Sequence, residues 1–152
     1  MKRTLVSLVV LALAAFTVSA QGSNAASFDA VVDFDASIKA FAAAANGGPA
    51  PKADRFALLV GTVGSVIKRS TEPVSYAVEL VSGEWIGMDD VKTFHLYLEY
   101  SGDAFTAFFD RKAGLAKPGA RVLVVCKFSR VAPGPDGAPA VWLTGHKLKV
   151  VN

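Results

Sequence analysis

From Phe56 onward the chain is patterned in steps of two. Val74, Tyr76, Val78 and Leu80 alternate with Ser75, Ala77 and Glu79, and Phe94, Leu96, Leu98 and Tyr100 alternate with Thr93, His95, Tyr97 and Glu99. Period-two alternation is what a half-buried antiparallel strand requires. Phe56 to Ile67 predicts a longer strand, interrupted by Gly61 and Gly64. Glycine inside a strand marks a bulge or the bend where a barrel turns its corner. Arg121 to Arg130 reads as a strongly apolar strand with basic ends, Pro133-Gly134-Pro135-Asp136-Gly137 as a turn, and Val141 to Val151 as the closing strand. Between them, Ala104 to Asp110 reads as a short strand after the Ser101-Gly102-Asp103 turn, and Gly114 to Gly119 as a brief helical turn.

Ahead of the strands lies one helix. Asp35 is placed to cap it, Ile38, Phe41, Ala42 and Ala45 fall on one face, and Asn46-Gly47-Gly48-Pro49 ends it. Phe28 to Phe34 alternates and forms either a short strand or an extended segment. The fold class is therefore mainly β, a small closed antiparallel barrel of five to six strands with one N-terminal helix. No internal repeat, heptad pattern or second domain boundary interrupts it.

The N-terminus has a different grammar. Lys2 and Arg3 precede an apolar run from Leu5 to Val18, and Val18-Ser19-Ala20 closes it with small residues. That is the layout of a secretory signal peptide, with cleavage expected after Ala20. The apolar run, about 14 residues, is shorter than the ~20 that a membrane-crossing helix needs, so no transmembrane span is expected after cleavage. The domain plan is a signal peptide over 1–20, a flexible leader over 21–27 and one domain over 28–152. The protein is expected to be exported, periplasmic or secreted. An exported protein whose first residue is Gln21, found by N-terminal sequencing, checks this; an intact Met1 contradicts it.

The formal net charge of +3 includes Lys2 and Arg3, so the mature chain is left at +1. Overall basicity then gives little support to a nucleic-acid partner. The charges are unevenly placed. Thr71 to Asp110 carries a net −7 and Arg111 to Asn152 a net +7. Such a split either builds a dipolar surface that orients a partner or sets acids and bases side by side in the sheet. The single cysteine, Cys126, forms no intramolecular disulfide and sits in the apolar Val122 to Val125 strand, where a thiol behaves as a small hydrophobe.

Catalytic signatures are missing. His95 and His146 lack metal-ligand spacing, Asp89-Asp90 reads as a solvated turn, Gly61-x-x-Gly64 lacks the Lys-Ser/Thr of a phosphate loop, and no G-x-S-x-G occurs. The chain reads as non-catalytic, with no cofactor and no metal.

Several runs carry a resemblance. Ala36-Ser37-Ile38-Lys39-Ala40-Phe41, then Asn46, Ala53 and Phe56, then Val60-Gly61-Thr62-Val63 and Val66-Ile67, resemble the opening of the tRNA_anti-like OB-fold proteins, a bacterial and often exported group. Leu115 to Val124 resembles that group's leucine turn, glycine and apolar strand, and Leu143 to Val150 its closing strand. The chain departs from the pattern at Val124-Val125-Cys126, where Val-x-Gly is usual. Thr71 to Asp90 also looks long for a simple link. An extra hairpin there would place the second and third strands at Phe94 to Tyr100 and Ala104 to Asp110, the alignment preferred from sequence.

The resemblance implies an OB barrel, which binds oligonucleotides or oligosaccharides on strands two and three and the loops beside them. In this chain that face comes from the acidic middle. Trp85, Tyr97 and Phe105 offer rings, but Glu79, Glu84, Asp89, Asp90 and Glu99 are expected to repel phosphate. The expected function is an exported binding module for an unknown protein or a small or sugar-like ligand of the cell envelope, contacted through Trp85, His95 and Tyr97. The alternative is a single-stranded nucleic-acid-binding OB protein that uses Lys127, Arg130, Lys147 and Lys149 of the basic C-terminal strands.

Overall fold

The computed structural model describes residues 30–110 and 114–151. The expected signal peptide and its cleavage point, the leader over 21–27, Phe28, Arg111 and Lys112 lie outside the described residues. The elements are β1 (Val32–Asp33), α1 (Ile38–Ala45), β2 (Phe56–Thr71), β3 (Val74–Trp85), β4 (Val91–Ser101), α2 (Thr106–Phe109), β5 (Arg121–Pro133) and β6 (Pro139–Val150).

Five of the strands close a ring. β2 pairs antiparallel with β3 and β3 with β4; β4 pairs parallel with β6; β6 pairs antiparallel with β5, and β5 with β2. The two-residue β1 adds a sixth strand, parallel to the start of β2. A five-stranded ring joined by hairpins and one crossover is an OB fold. Alternation decides what fills it. Leu59, Val63, Val78, Leu80, Leu96, Leu98, Tyr100, Val122, Val124 and Leu143 point inward and are buried.

At Gly61 of β2 the core and the helix crowd the strand: a Cβ there would lie 2.7 Å from Leu80 Cγ and 2.8 Å from Ile38 Cδ1. Only a residue without a side chain lets strand and helix approach so closely. The same proximity places α1 over the Leu80 end of the barrel, with Ile38 and Phe41 buried beneath it. Ser37, not Asp35, caps α1, its hydroxyl accepting from the Ala40 amide at 3.1 Å. The helix ends at Asn46 as expected, with the Gly47 and Gly48 amides donating to the Ala44 and Ala43 carbonyls.

Three expected elements do not form. Thr71 to Asp90 holds no extra hairpin, because the tight link at Glu72-Pro73 joins β2 directly to β3. Ala104 to Asp110 is not a strand but a 3-10 turn (Asp103–Phe105) running into α2. Phe105 and Phe109, four apart, meet Tyr100 at centroid distances of 4.7 and 5.1 Å and plug the barrel end opposite α1. A helical turn sets residues four apart side by side, so both rings reach Tyr100, whereas a strand would spread them ~13 Å apart along one face. Gly114 to Gly119 likewise forms no helix; the Gly119 amide donates to the Val63 carbonyl instead.

Cys126 is sealed in the core, 3.8 Å from the Ala57 carbonyl, and burial pushes its thiol up to about 12. Burial also raises the Tyr100 phenol. Groups held protonated in the fold stabilise it below their unfolded pKa and lose that contribution as pH rises toward the folded value. Melting temperature should therefore fall between pH 9 and 11, less steeply in Cys126→Ala. A thiol reagent should leave the native protein unmodified at pH 8, and rapid labelling would contradict the burial.

Candidate functional site

The outer face of β3, β4 and β6 carries the residues first expected to bind. Tyr97 projects outward from β4 and stacks on Trp142 of β6, centroids 5.0 Å apart and planes at 27°. Both are buried all the same, Tyr97 at 9 % and Trp142 at 1 % exposure. The cover is cationic: the guanidinium carbons of Arg69 and Arg130 lie 5.0 and 5.4 Å from the Trp142 ring centroid. The Trp142 indole N–H donates to the Pro133 carbonyl at 3.3 Å. Burial, then the Glu79 and Asp136 carboxylates, raise the Tyr97 phenol.

The acids of this face are mostly engaged. Arg130 donates to both carboxylate oxygens of Glu99, at 2.8 and 2.9 Å, and that pairing holds Glu99 below the ordinary carboxylate range. Glu79 receives His95 Nδ1 at 2.8 Å, while His95 Nε2 lies 3.2 Å from the Thr93 hydroxyl. Glu84 pairs with Lys39 of α1 at 2.7 Å. Two acids of the expected repulsive set, Asp89 and Asp90, sit instead in the loop beyond β3, whose last residue, Trp85, is 71 % exposed. His95 and Tyr97 thus line one cleft with Glu79 and Asp136, His95 tied to a carboxylate and Tyr97 stacked on a tryptophan, while Trp85 stands apart at the end of β3. Phe105, also offered as a ring for bases, is spent on the core.

A second surface lies on the other flank. Leu123, Val125 and Lys127 alternate outward on β5, opposite the buried Val122, Val124 and Cys126. The register sets Lys149 across from Leu123, Lys147 across from Val125 and Thr144 across from Lys127. Arg121 and Lys127 of β5 and Lys147 and Lys149 of β6 therefore share the outer face of two adjacent strands, with the register irregularity at Val125 and Cys126 falling between Lys147 and Lys127. Leu58 and Val60 of β2 flank the row, exposed and paired with Val125 and Leu123. At its upper end the Lys127 ammonium lies 4.2 Å over the Phe56 ring, which meets His146 edge-on at 5.1 Å. Among the described residues, none of these four cations has a carboxylate partner.

Arg130, expected to belong with these lysines, does not; past the irregularity between Phe128 and Arg130 the strand carries it to Glu99 and Trp142. Sequence reasoning also missed Arg69, Trp142 and Phe56. For Trp142 a signal was present, since it falls out of phase with the buried Val141 and Leu143. Among the described residues no group of three or more His, Cys, Asp or Glu side chains is placed to hold a metal ion.

No family model matches the sequence, and no curated protein is similar to it. Solved structures are similar to part of the chain. The mitochondrial single-stranded DNA-binding protein Rim1 of S. cerevisiae is 14% identical, with 63% of this chain and 93% of that one covered, at a TM-score of 0.42. The Plasmodium falciparum SSB in complex with single-stranded DNA is 15% identical, covering 68% of this chain and 100% of that one, at 0.45. The small single-stranded DNA-binding protein of Streptomyces coelicolor is 12% identical, covering 63% and 91%, at 0.45.

All three are described as single-stranded DNA-binding proteins or their complexes. The expectation of a protein or sugar-like envelope ligand, with nucleic acid set aside, is corrected here on the charges of this chain. The chain itself supplies the physical reason. Nucleic acid was set aside because Glu79, Glu84, Asp89, Asp90 and Glu99 would repel phosphate, yet Glu84 and Glu99 are paired with Lys39 and Arg130, Glu79 is hydrogen-bonded to His95, and Asp89 and Asp90 stand apart in the β3–β4 loop.

Proposed function

We propose that this chain is a non-catalytic OB module that binds single-stranded nucleic acid along β5 and β6. The observation that carries the reading is the carboxylate-free row of Arg121, Lys127, Lys147 and Lys149. Single strands are held by a positive track that follows the phosphates, with rings on which bases stack. Four unpaired cations supply the track, and the half-exposed Phe56 beside His146 supplies a ring at its end. The opposite flank is less suited, because its own acids already engage Arg130 and Lys39 there and its two large rings are buried.

Within this reading the chain is an exported member of the tRNA_anti-like group, and the strand it meets is one found outside the cytoplasm. Titration of a fluorescent oligodeoxythymidine at low and moderate salt tests the binding. Affinity that falls with salt and with reversal of the lysines supports it. An oligonucleotide that stays free at low salt, or that binds the lysine-reversed protein equally well, overturns it.

A further inference from the structure

The split between a −7 middle and a +7 end has a counterpart on the surface that nucleic-acid binding leaves half used. β3 pairs with β2 only as far as Val81, whereas β3 and β4 go on pairing with each other from Ser82 to Trp85. The hairpin therefore runs past the ring as a two-stranded ribbon, closed at its tip by the Ile86 amide donating to the Asp90 carbonyl at 3.0 Å. Its end carries Trp85, Ile86, Met88 and Val91, all exposed, with Met88 at 98 %. Asp89 and Asp90 stand among them without a cation partner among the described residues. Clustered apolar side chains held out from a domain mark an interaction site.

We propose that this tip docks on the β5–β6 row of a second copy of the chain. The two surfaces are complementary in both respects. The tip offers apolar side chains and two free carboxylates; the row offers Leu58 and Val60 beside Lys147, Lys149 and Arg121, which lack carboxylates. The same two aspartates oppose an anionic lipid surface, so a bilayer is the poorer occupant. Tip and row are different patches, so the contact is head-to-tail and propagates from copy to copy. It shares the row with nucleic acid without depending on nucleic-acid binding, and the two occupants exclude each other.

Sedimentation velocity of the full chain at low salt tests the contact. The parent protein should pass from one chain to dimers and longer species as concentration rises, and an excess of oligodeoxythymidine should disperse them. A tip variant, Trp85→Ser with Met88→Ser, and a row variant, Lys147→Glu with Lys149→Glu, should each stay monomeric. Mixed one to one, they should form a dimer and nothing larger, because one retains a working row and the other a working tip. The mixture also reports that both variants fold. A parent that is monomeric throughout, either variant associating like the parent, or a mixture that fails to pair overturns the contact. Association without oligonucleotide binding leaves the contact standing and removes the nucleic-acid reading alone.

Discussion

Gly145→Ala should destabilise the protein by about 3 kcal/mol, the upper part of the usual range for overpacking a well-filled core. A Cβ at position 145 would overlap Cε1 and Cζ of Tyr100. That ring has nowhere to go. It is fully buried, Phe105 and Phe109 pack on it, and its hydroxyl reaches the Lys147 carbonyl at 3.5 Å. β6 cannot retreat either, since it is paired to β5 on one side and to β4 on the other. In a domain of this size about 3 kcal/mol corresponds to a fall of roughly 10 °C in melting temperature. Tyr100→Phe should give no relief, because the clash is with ring carbons. Tyr100→Leu should recover part of the loss, a coupling that a double-mutant cycle reads directly. A Gly145→Ala protein melting with the parent would show that strand and ring are not in close contact.

Reversing Lys127, Lys147 and Lys149 to glutamate should reduce oligonucleotide affinity by at least ~100-fold at 50 mM salt. Each phosphate neutralised on a single strand contributes about −0.7 to the slope of log K against log salt. Four contacts imply a slope near −3 by that rule, or about 50-fold weaker binding at 200 mM than at 50 mM salt. The triple reversal keeps only Arg121 and adds three repelling carboxylates, so residual binding should be nearly flat in salt. Arg130→Gln provides the contrast. Its guanidinium is committed to Glu99 and Trp142, so affinity should change by less than about twofold. An Arg130 effect as large as that of the lysines would move the interface to the opposite flank.

The strands were legible because alternation is a local property: Val74 to Leu80 and Phe94 to Tyr100 show their inward and outward faces without reference to anything distant. Ala104 to Asp110 was misread because its aromatic residues suit a strand by propensity, and only Tyr100 and Tyr76, waiting at the barrel end, make the Phe105–Phe109 spacing decisive. The interface was harder still. Sequence counts Glu99 and Glu84 as free negative charges, whereas Arg130 and Lys39, 31 and 45 positions away, engage them. Lys127, Lys147 and Lys149 were visible as residues but not as a row, which depends on the β5–β6 register. Arg130 was grouped with them because nothing in a linear chain shows where a strand curls.

The parallel join of β4 to β6 rests on three residue pairs, Tyr97 with Trp142, Leu98 with Leu143 and Glu99 with Thr144. Every other junction in the ring is longer. One of those pairs is bridged again from outside by the Tyr97–Trp142 stack, and Glu99 is tied across the seam to Arg130 of β5. The apparent binding residues of that flank thus act as a clasp on the shortest seam. A ring fastened this way opens first at its shortest seam, where the fewest backbone pairs hold the two strands together. Amide hydrogen exchange should be faster at Leu98 and Leu143 than at Val78 or Val124, and loosening the clasp with Glu99→Gln should widen that gap while leaving the β2–β5 junction as slow as before.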